Sequence, residues 1–243
     1  VNGRRIRAVA RRELRDYRRN RFVIGTMVAL PLFFIIIPVA SVLAVTASAP
    51  EKAVQTAVAS ATLVFLLVPL ILPTVIAAYA VVGERDQGTL EPVLTTPVLR
   101  EELLIGKALA AIVPTVAIGY GLFVVFLILV HARGVPAVEH LVWRPAEVVG
   151  AILFTPLLGT FSIWVALAIS ARASDVRVAQ QLSSLAMVPM ILLLSLFTFG
   201  VVSPSLTLAL EVAAVLVVFD LLAWRLVSRM FDRERLLTRY GKT

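Results

Sequence analysis

GERDQGTLEPVLTTPVLREELLIGK, residues Gly83 to Lys107, is the longest charge-bearing segment in an otherwise apolar chain. Eight of its residues ionise: Glu84, Arg85, Asp86, Glu91, Arg100, Glu101, Glu102 and Lys107. Apolar runs of membrane-spanning length flank it on both sides, so it belongs in water between two spans. It also has internal order. Gly88 can end the preceding helix in a left-handed turn. Thr89 can cap a new helix, and Pro92 is acceptable in a first turn. Leu90, Val93 and Leu94 then recur at i, i+3 and i+4, which gives a short helix one apolar face. Thr96-Pro97 reads as a second helix start, with Pro97 at the first helical position.

The rest of the chain has the composition of a membrane protein. Of its 243 residues 60% are hydrophobic and only 16% charged, where a soluble chain carries about a quarter charged. The mean hydropathy is +0.95. The net charge of +8 sits in arginines beside apolar spans, a pattern for an anionic membrane face rather than nucleic acid. With no cysteine there is no disulfide framework, thiolate nucleophile or thiolate metal site. Two histidines, His131 and His140, are too few for the familiar metal clusters.

Six spans are expected, in a single all-α transmembrane domain over residues 1–243. A basic arm, residues 1–21, precedes a six-span bundle, residues 22–227, and a basic tail, residues 228–243, follows it. In the arm, Ile6, Val9, Ala10, Leu14 and Tyr17 share one arc at 100° per residue, and arginines fill the opposite side. That pattern predicts an amphipathic helix lying in the headgroup plane. Glu13 falls inside the apolar arc and needs a partner, either an arginine or another protein. The spans are Phe22–Val45, Val54–Val82, Ala108–Val130, Val148–Ser170, Leu182–Gly200 and Leu206–Val227. Ala47-Ser48-Ala49 resembles a signal-peptide cleavage site, but the apolar run before it exceeds a signal h-region of ~7–15 residues and reads as a retained span. His131–Glu147 and Ala171–Gln181 read as loops.

The basic residues fix an orientation. The arm holds nine, the Gly83–Lys107 segment three, the Ala171–Gln181 loop two, and the chain from Arg225 onward six. Only Lys52, Arg133 and Arg144 fall on the other side, out of 23 in all. This bias places both termini and the charged segment in the cytoplasm.

Chemistry within the spans is sparse. Asp220 is the one acid well inside an apolar stretch, and an intramembrane carboxylate is a functional candidate. Arg225, about one turn away, offers it a structural ion pair. Glu101-Glu102 reads as a solvated helix face, since adjacent helical positions diverge by about 100°. Gly106-Lys107 and Gly241-Lys242-Thr243 lack the upstream glycine of a phosphate loop, so no ATP site is present in this chain. Neither G-x-S-x-G nor H-E-x-x-H occurs.

The run from Glu84-Arg85-Asp86-Gln87-Gly88-Thr89-Leu90-Glu91-Pro92 through Thr96-Pro97 to Leu104-Ile105-Gly106-Lys107 resembles the membrane subunits of ATP-binding-cassette (ABC) transporters of the type 2 exporter class. Those carry an E-R-x-x-G-T-L-E-x-L-x-x-T-P-x-x-R-x-E-x-x-x-G-K run between spans two and three, with Val93-Leu94 standing here for the usual leucine pair. Weaker resemblance extends to Arg11-Arg12-Glu13-Leu14 and to Asp175–Gln181. The resemblance implies a permease of a plasma-membrane exporter, paired with a second copy or a paralogue. A separate cytosolic ATPase subunit would bind the ATP and magnesium, leaving this chain without cofactor or catalytic residue.

On that likeness the cytosolic helix after span two docks in the ATPase. Leu90, Val93 and Leu94 would form its buried face, Glu84, Arg85, Asp86 and Glu91 its charged surround, and Gly88 the bend, beside Thr89. Asp175 and Arg177 would make a second contact. The arm, with Glu13 and Tyr17, would be an interfacial elbow, its Glu13 touching the partner or the end of span two. Against this stand a self-sufficient carrier or channel, a lipid-modifying enzyme and a membrane scaffold. A carrier or channel needs polar groups deep in several spans, and no convergent catalytic set for an enzyme is visible.

Overall fold

A computed structural model describes residues 2–78, 82, 99–173, 175–198 and 205–230. Among these the chain is helical. The helices are α1 (Gly3–Arg19), α2 (Arg21–Leu43), α3 (Glu51–Ala78), α4 (Arg100–Arg133), α5 (Pro136–Val142), α6 (Pro145–Ser170), α7 (Val176–Ala186), α8 (Val188–Thr198) and α9 (Leu206–Met230). Six stretches are long and apolar enough to cross a membrane, with α7 and α8 together making the fifth.

The helix limits follow local chemistry. Asn2 caps α1, its Oδ1 accepting from the Arg4 N–H at 3.0 Å. Asn20 breaks the helix with extended backbone, and its Oδ1 accepts from the Val23 N–H at 3.3 Å to start α2. Pro136 and Pro145 occupy the first turns of α5 and α6, where a missing N–H costs nothing. Ser205 caps α9 through the Leu208 N–H at 3.1 Å.

Two expectations change here. The stretch 131–147 contains the helix α5, whose Val138, Leu141 and Val142 are buried against Val54, Val58 and Phe126. The fifth span is not one helix. It starts at Val176, inside the expected loop, and breaks at Met187. Pro189 explains the break, since its ring excludes a helical N–H and collides with the preceding turn.

The bundle is organised on α3 and α6. Of the best apolar window in α3, 61% is buried, against 17% in those of α2 and α4, so α3 runs through the middle. Small residues on α6 let it approach. Gly159 faces the Pro69 carbonyl, and the buried Ser162 hydroxyl donates to the Leu70 carbonyl at 2.6 Å. That bond joins two spans beside Pro69 and Pro73, where α3 lacks backbone donors of its own. Leu32, Phe33 and Ile36 of α2, and Val218, Phe219 and Leu222 of α9, face outward, as a lipid-facing surface requires.

Candidate functional site

The expected docking residues Glu84, Arg85, Asp86, Gly88, Thr89, Leu90, Glu91, Val93 and Leu94 lie outside the described residues. The structure does describe the residues that flank them in the chain, Val82 on one side and the start of α4 on the other, here called the two footings.

The first footing is Val82. It is fully buried against Ala173 and Ala179, and its N–H donates to the Ser170 hydroxyl at 3.3 Å. Val82 itself is therefore held by the turn between α6 and α7. Asp175 shapes that turn by capping α7, with its Oδ1 accepting from the Val178 N–H at 2.9 Å. The Asp175 and Arg177 side chains stay exposed beside this footing, and Ala179, one helical face over, is buried beneath it.

The second footing is the start of α4, and α1 lies along it. Glu102 is 1% exposed. Its Oε2 accepts from the Leu99 N–H at 3.0 Å, which caps its own helix. Its Oε1 accepts from the Asn2 N–H at 2.6 Å, and Arg5 Nη1 lies 3.6 Å away. One carboxylate thus pins the first turns of two helices, where anions are favoured by the helix dipoles. The reading of Glu101-Glu102 as a solvated pair is corrected for Glu102. Glu101 is exposed, and Glu102, one position on, turns under α1.

One turn further, Gly106 lets α1 come close. A Cβ on it would stand 2.5 Å from Val9 Cγ1 and 3.2 Å from the Ile6 carbonyl oxygen. Gly106→Ala should therefore force α1 away and destabilise the junction by about 1–3 kcal/mol, the usual range for overpacking. Faster hydrogen exchange in α1, with α3 unchanged, is the expected reading; equal exchange in both variants would mean that α1 is not seated there.

Lys107 completes the footing. Its Nζ lies 2.8 Å from Glu13 Oε1, with both side chains almost wholly buried. This supplies the partner that the position of Glu13 in the apolar arc demanded. Among the described residues Glu13 pairs not with an arginine but with a lysine at the base of span three. The reason is geometric. Glu13 and the Ile6–Val9 edge lie on the side of α1 that packs on α4, while Arg4, Arg7, Arg11, Arg15 and Arg18 face out. Tyr17 is buried in the cluster that contains Ile76 and Ala77 of α3, Leu104 of α4 and Trp164 of α6. The helix α1 is thereby packed into the bundle along one whole side.

Asp220 also departs from expectation. It is 8% exposed, and its Oδ1 has no hydrogen-bond partner among the described residues. Arg225 is exposed and forms no ion pair with it. Five residues along a helix place two side chains roughly 140° apart, so the anticipated surface pair does not form.

Comparison with known proteins bears on this arrangement. The family described as ABC-2 family transporter protein matches residues 7–234. The chain is also similar to NosY, a probable ABC transporter permease protein of Pseudomonas aeruginosa, with 35% identity over 181 residues. That alignment takes in 69% of this chain, and the chain spans about 60% of the relative's length. Since the family match runs through all six candidate membrane helices, the chain belongs to the ABC-2 transporter family.

Proposed function

We propose that this chain is the membrane permease of an ABC-type exporter, working as a pair with a second copy or a paralogue and driven by a separate cytosolic ATPase subunit. The ATP and magnesium belong to that subunit, and this chain contributes no catalytic group. The observation that carries the reading is the pair of buried footings around residues 83–98. A segment that transmits force must be fixed where it joins the bundle, and a small apolar face ringed by charge supplies specific docking. Val82 on one side and Glu102, Gly106 and Lys107 on the other supply the fixing.

In this reading Leu90, Val93 and Leu94 enter the ATPase, and Glu84, Arg85, Asp86 and Glu91 surround them, with Gly88 and Thr89 at the bend. Asp175 and Arg177 touch the ATPase beside the first footing. The arm bearing Glu13 and Tyr17 is the elbow, its exposed arginines on anionic headgroups. The reading places the protein in the plasma membrane with the ends of the bundle's basic arm and tail in the cytoplasm, an orientation that the distribution of basic residues supports.

The chain has no cysteine, which makes single-cysteine labelling clean. Cysteines at Glu91 and Asp175 are expected to react with an impermeant thiol reagent only in opened cells, and one at Lys52 in intact cells. A soluble ATPase is expected to co-purify from native membranes. Labelling of Glu91→Cys in intact cells would overturn the orientation, and transport by the permease without any nucleotide-binding subunit would overturn the function.

A further inference from the structure

The end of the bundle away from α1 contains a carboxylate in an apolar setting that the coupling surface does not use. Glu147 stands in the first turn of α6 and reaches toward α3, where its Oε2 accepts from the Thr62 hydroxyl at 3.1 Å. Two adjoining cavities meet at this bond. Both are lined by Thr62, Leu66, Glu147 and Ala151. The smaller runs inward among Phe65, Phe123 and Phe126. The larger, about 110 Å³, runs between α3, α6, α8 and α9, and its walls include Phe154, Leu194, Leu208 and Val212.

Three features define what fits. Apart from Thr62, Ser205 and Glu147 the cleft is lined by apolar groups, so it takes a stretch of hydrocarbon chain. Among the described residues its one ionisable lining group is a carboxylate, held by one oxygen, so the head at that point is a cation that can donate a hydrogen bond. Arg144, the residue that precedes α6, is exposed one helical turn before Glu147, a position from which a guanidinium can meet an anionic group beside that cation. Trp143 is 49% exposed next to it, as suits the headgroup level of a bilayer. The adjoining faces of α8 and α9 present Leu196, Leu206 and Leu210 outward, which makes surrounding lipid the source of the occupant.

We propose that this cleft is a binding site for a phospholipid with a primary-amine headgroup: ammonium on Glu147, phosphate on Arg144, and part of one acyl chain between α6, α8 and α9, the rest of the chain running out into the surrounding lipid. A quaternary amine offers no N–H to the carboxylate, and this difference sets the selectivity.

The test is lipid retention by the purified protein, with any ATPase that accompanies it, measured by native mass spectrometry. The delipidated protein is offered equal amounts of phosphatidylethanolamine, phosphatidylcholine and phosphatidylglycerol. The parent is expected to retain phosphatidylethanolamine about tenfold over phosphatidylcholine, the worth of one hydrogen bond between charged groups. Glu147→Gln should abolish that preference while leaving phosphatidylcholine retention unchanged. Thr62→Val, which keeps the carboxylate, should preserve the preference, and Ala209→Trp, which fills the cleft, should reduce retention of both lipids. Equal retention by the parent, a preference for phosphatidylglycerol, or a preference that survives Glu147→Gln would each overturn the site. Displacement by a simple alkylamine as effective as the phospholipid would overturn the lipid as its occupant. None of these outcomes depends on coupling to an ATPase.

Discussion

Lys107→Met is expected to destabilise the junction of α1 and α4 by about 3–5 kcal/mol, the cost of leaving one member of a buried ion pair without the other. The geometry makes this the costliest single side chain to remove at the second footing. Lys107 and Glu13 are 1% and 6% exposed and 2.8 Å apart, so neither can turn to water when its partner is lost. Removing the pair together is a different matter. Glu13→Leu with Lys107→Met leaves two apolar side chains facing each other between helices that already touch through Val9 and Gly106. A buried pair replaced by apolar groups is often neutral or stabilising, so the double variant should recover most of the loss. Glu13→Lys with Lys107→Glu should recover less, because the exchanged charges meet different surroundings. Thermal unfolding of the purified permease, with hydrogen exchange resolved over α1, reads all of these. If the single and double variants unfolded alike, the pair would contribute nothing specific to the seating of α1.

Much of this architecture is legible from residue order. The six spans follow from long apolar runs, and the helix of the arm follows from Ile6, Val9, Leu14 and Tyr17 recurring on one arc opposite the arginines. Glu13 stood out as misplaced, and it is buried. Its partner was not legible, because it lies 94 positions away in sequence and no periodicity within one helix points to another. The burial of Glu102 is illegible for a related reason. Its neighbour Glu101 is exposed, and only the arrival of α1 turns the second carboxylate into a buried clamp. The sequence does carry one signal: Glu102, Gly106 and Lys107 recur at i, i+4 and i+5, a stripe on one face of α4 that combines a cap, a close approach and a charge. The break at Met187 was hidden because apolar composition continues through it, and only Pro189 marked it. Thr62 and Glu147, 85 positions apart, show the same limit. Burial and pairing belong to the assembled bundle, not to the local pattern.

Leu94→Asp is expected to separate assembly from work. Leu90, Val93 and Leu94 fall at i, i+3 and i+4, so a helix here presents them as one small apolar patch. A patch this small has few anchors. Placing a charge on one central anchor removes its packing and demands desolvation of a carboxylate that has no partner. A loss of about 2–4 kcal/mol, typical of an interface anchor, weakens docking roughly 30- to 1000-fold. The bundle should not feel the change, because its footings at Val82 and at Glu102–Lys107 lie on either side of the substituted position and are held by their own contacts. Leu94→Asp should therefore unfold at the parent's temperature yet fail to retain the ATPase and fail to transport with ATP. Lys107→Met should do the reverse, unfolding early while its surviving fraction still binds the ATPase. The two substitutions together tell a docking surface from a structural hinge. If Leu94→Asp kept both the ATPase and coupled transport, the patch would not be the contact. If it unfolded early like Lys107→Met, the patch would be packed against the bundle itself, with no partner needed to explain it.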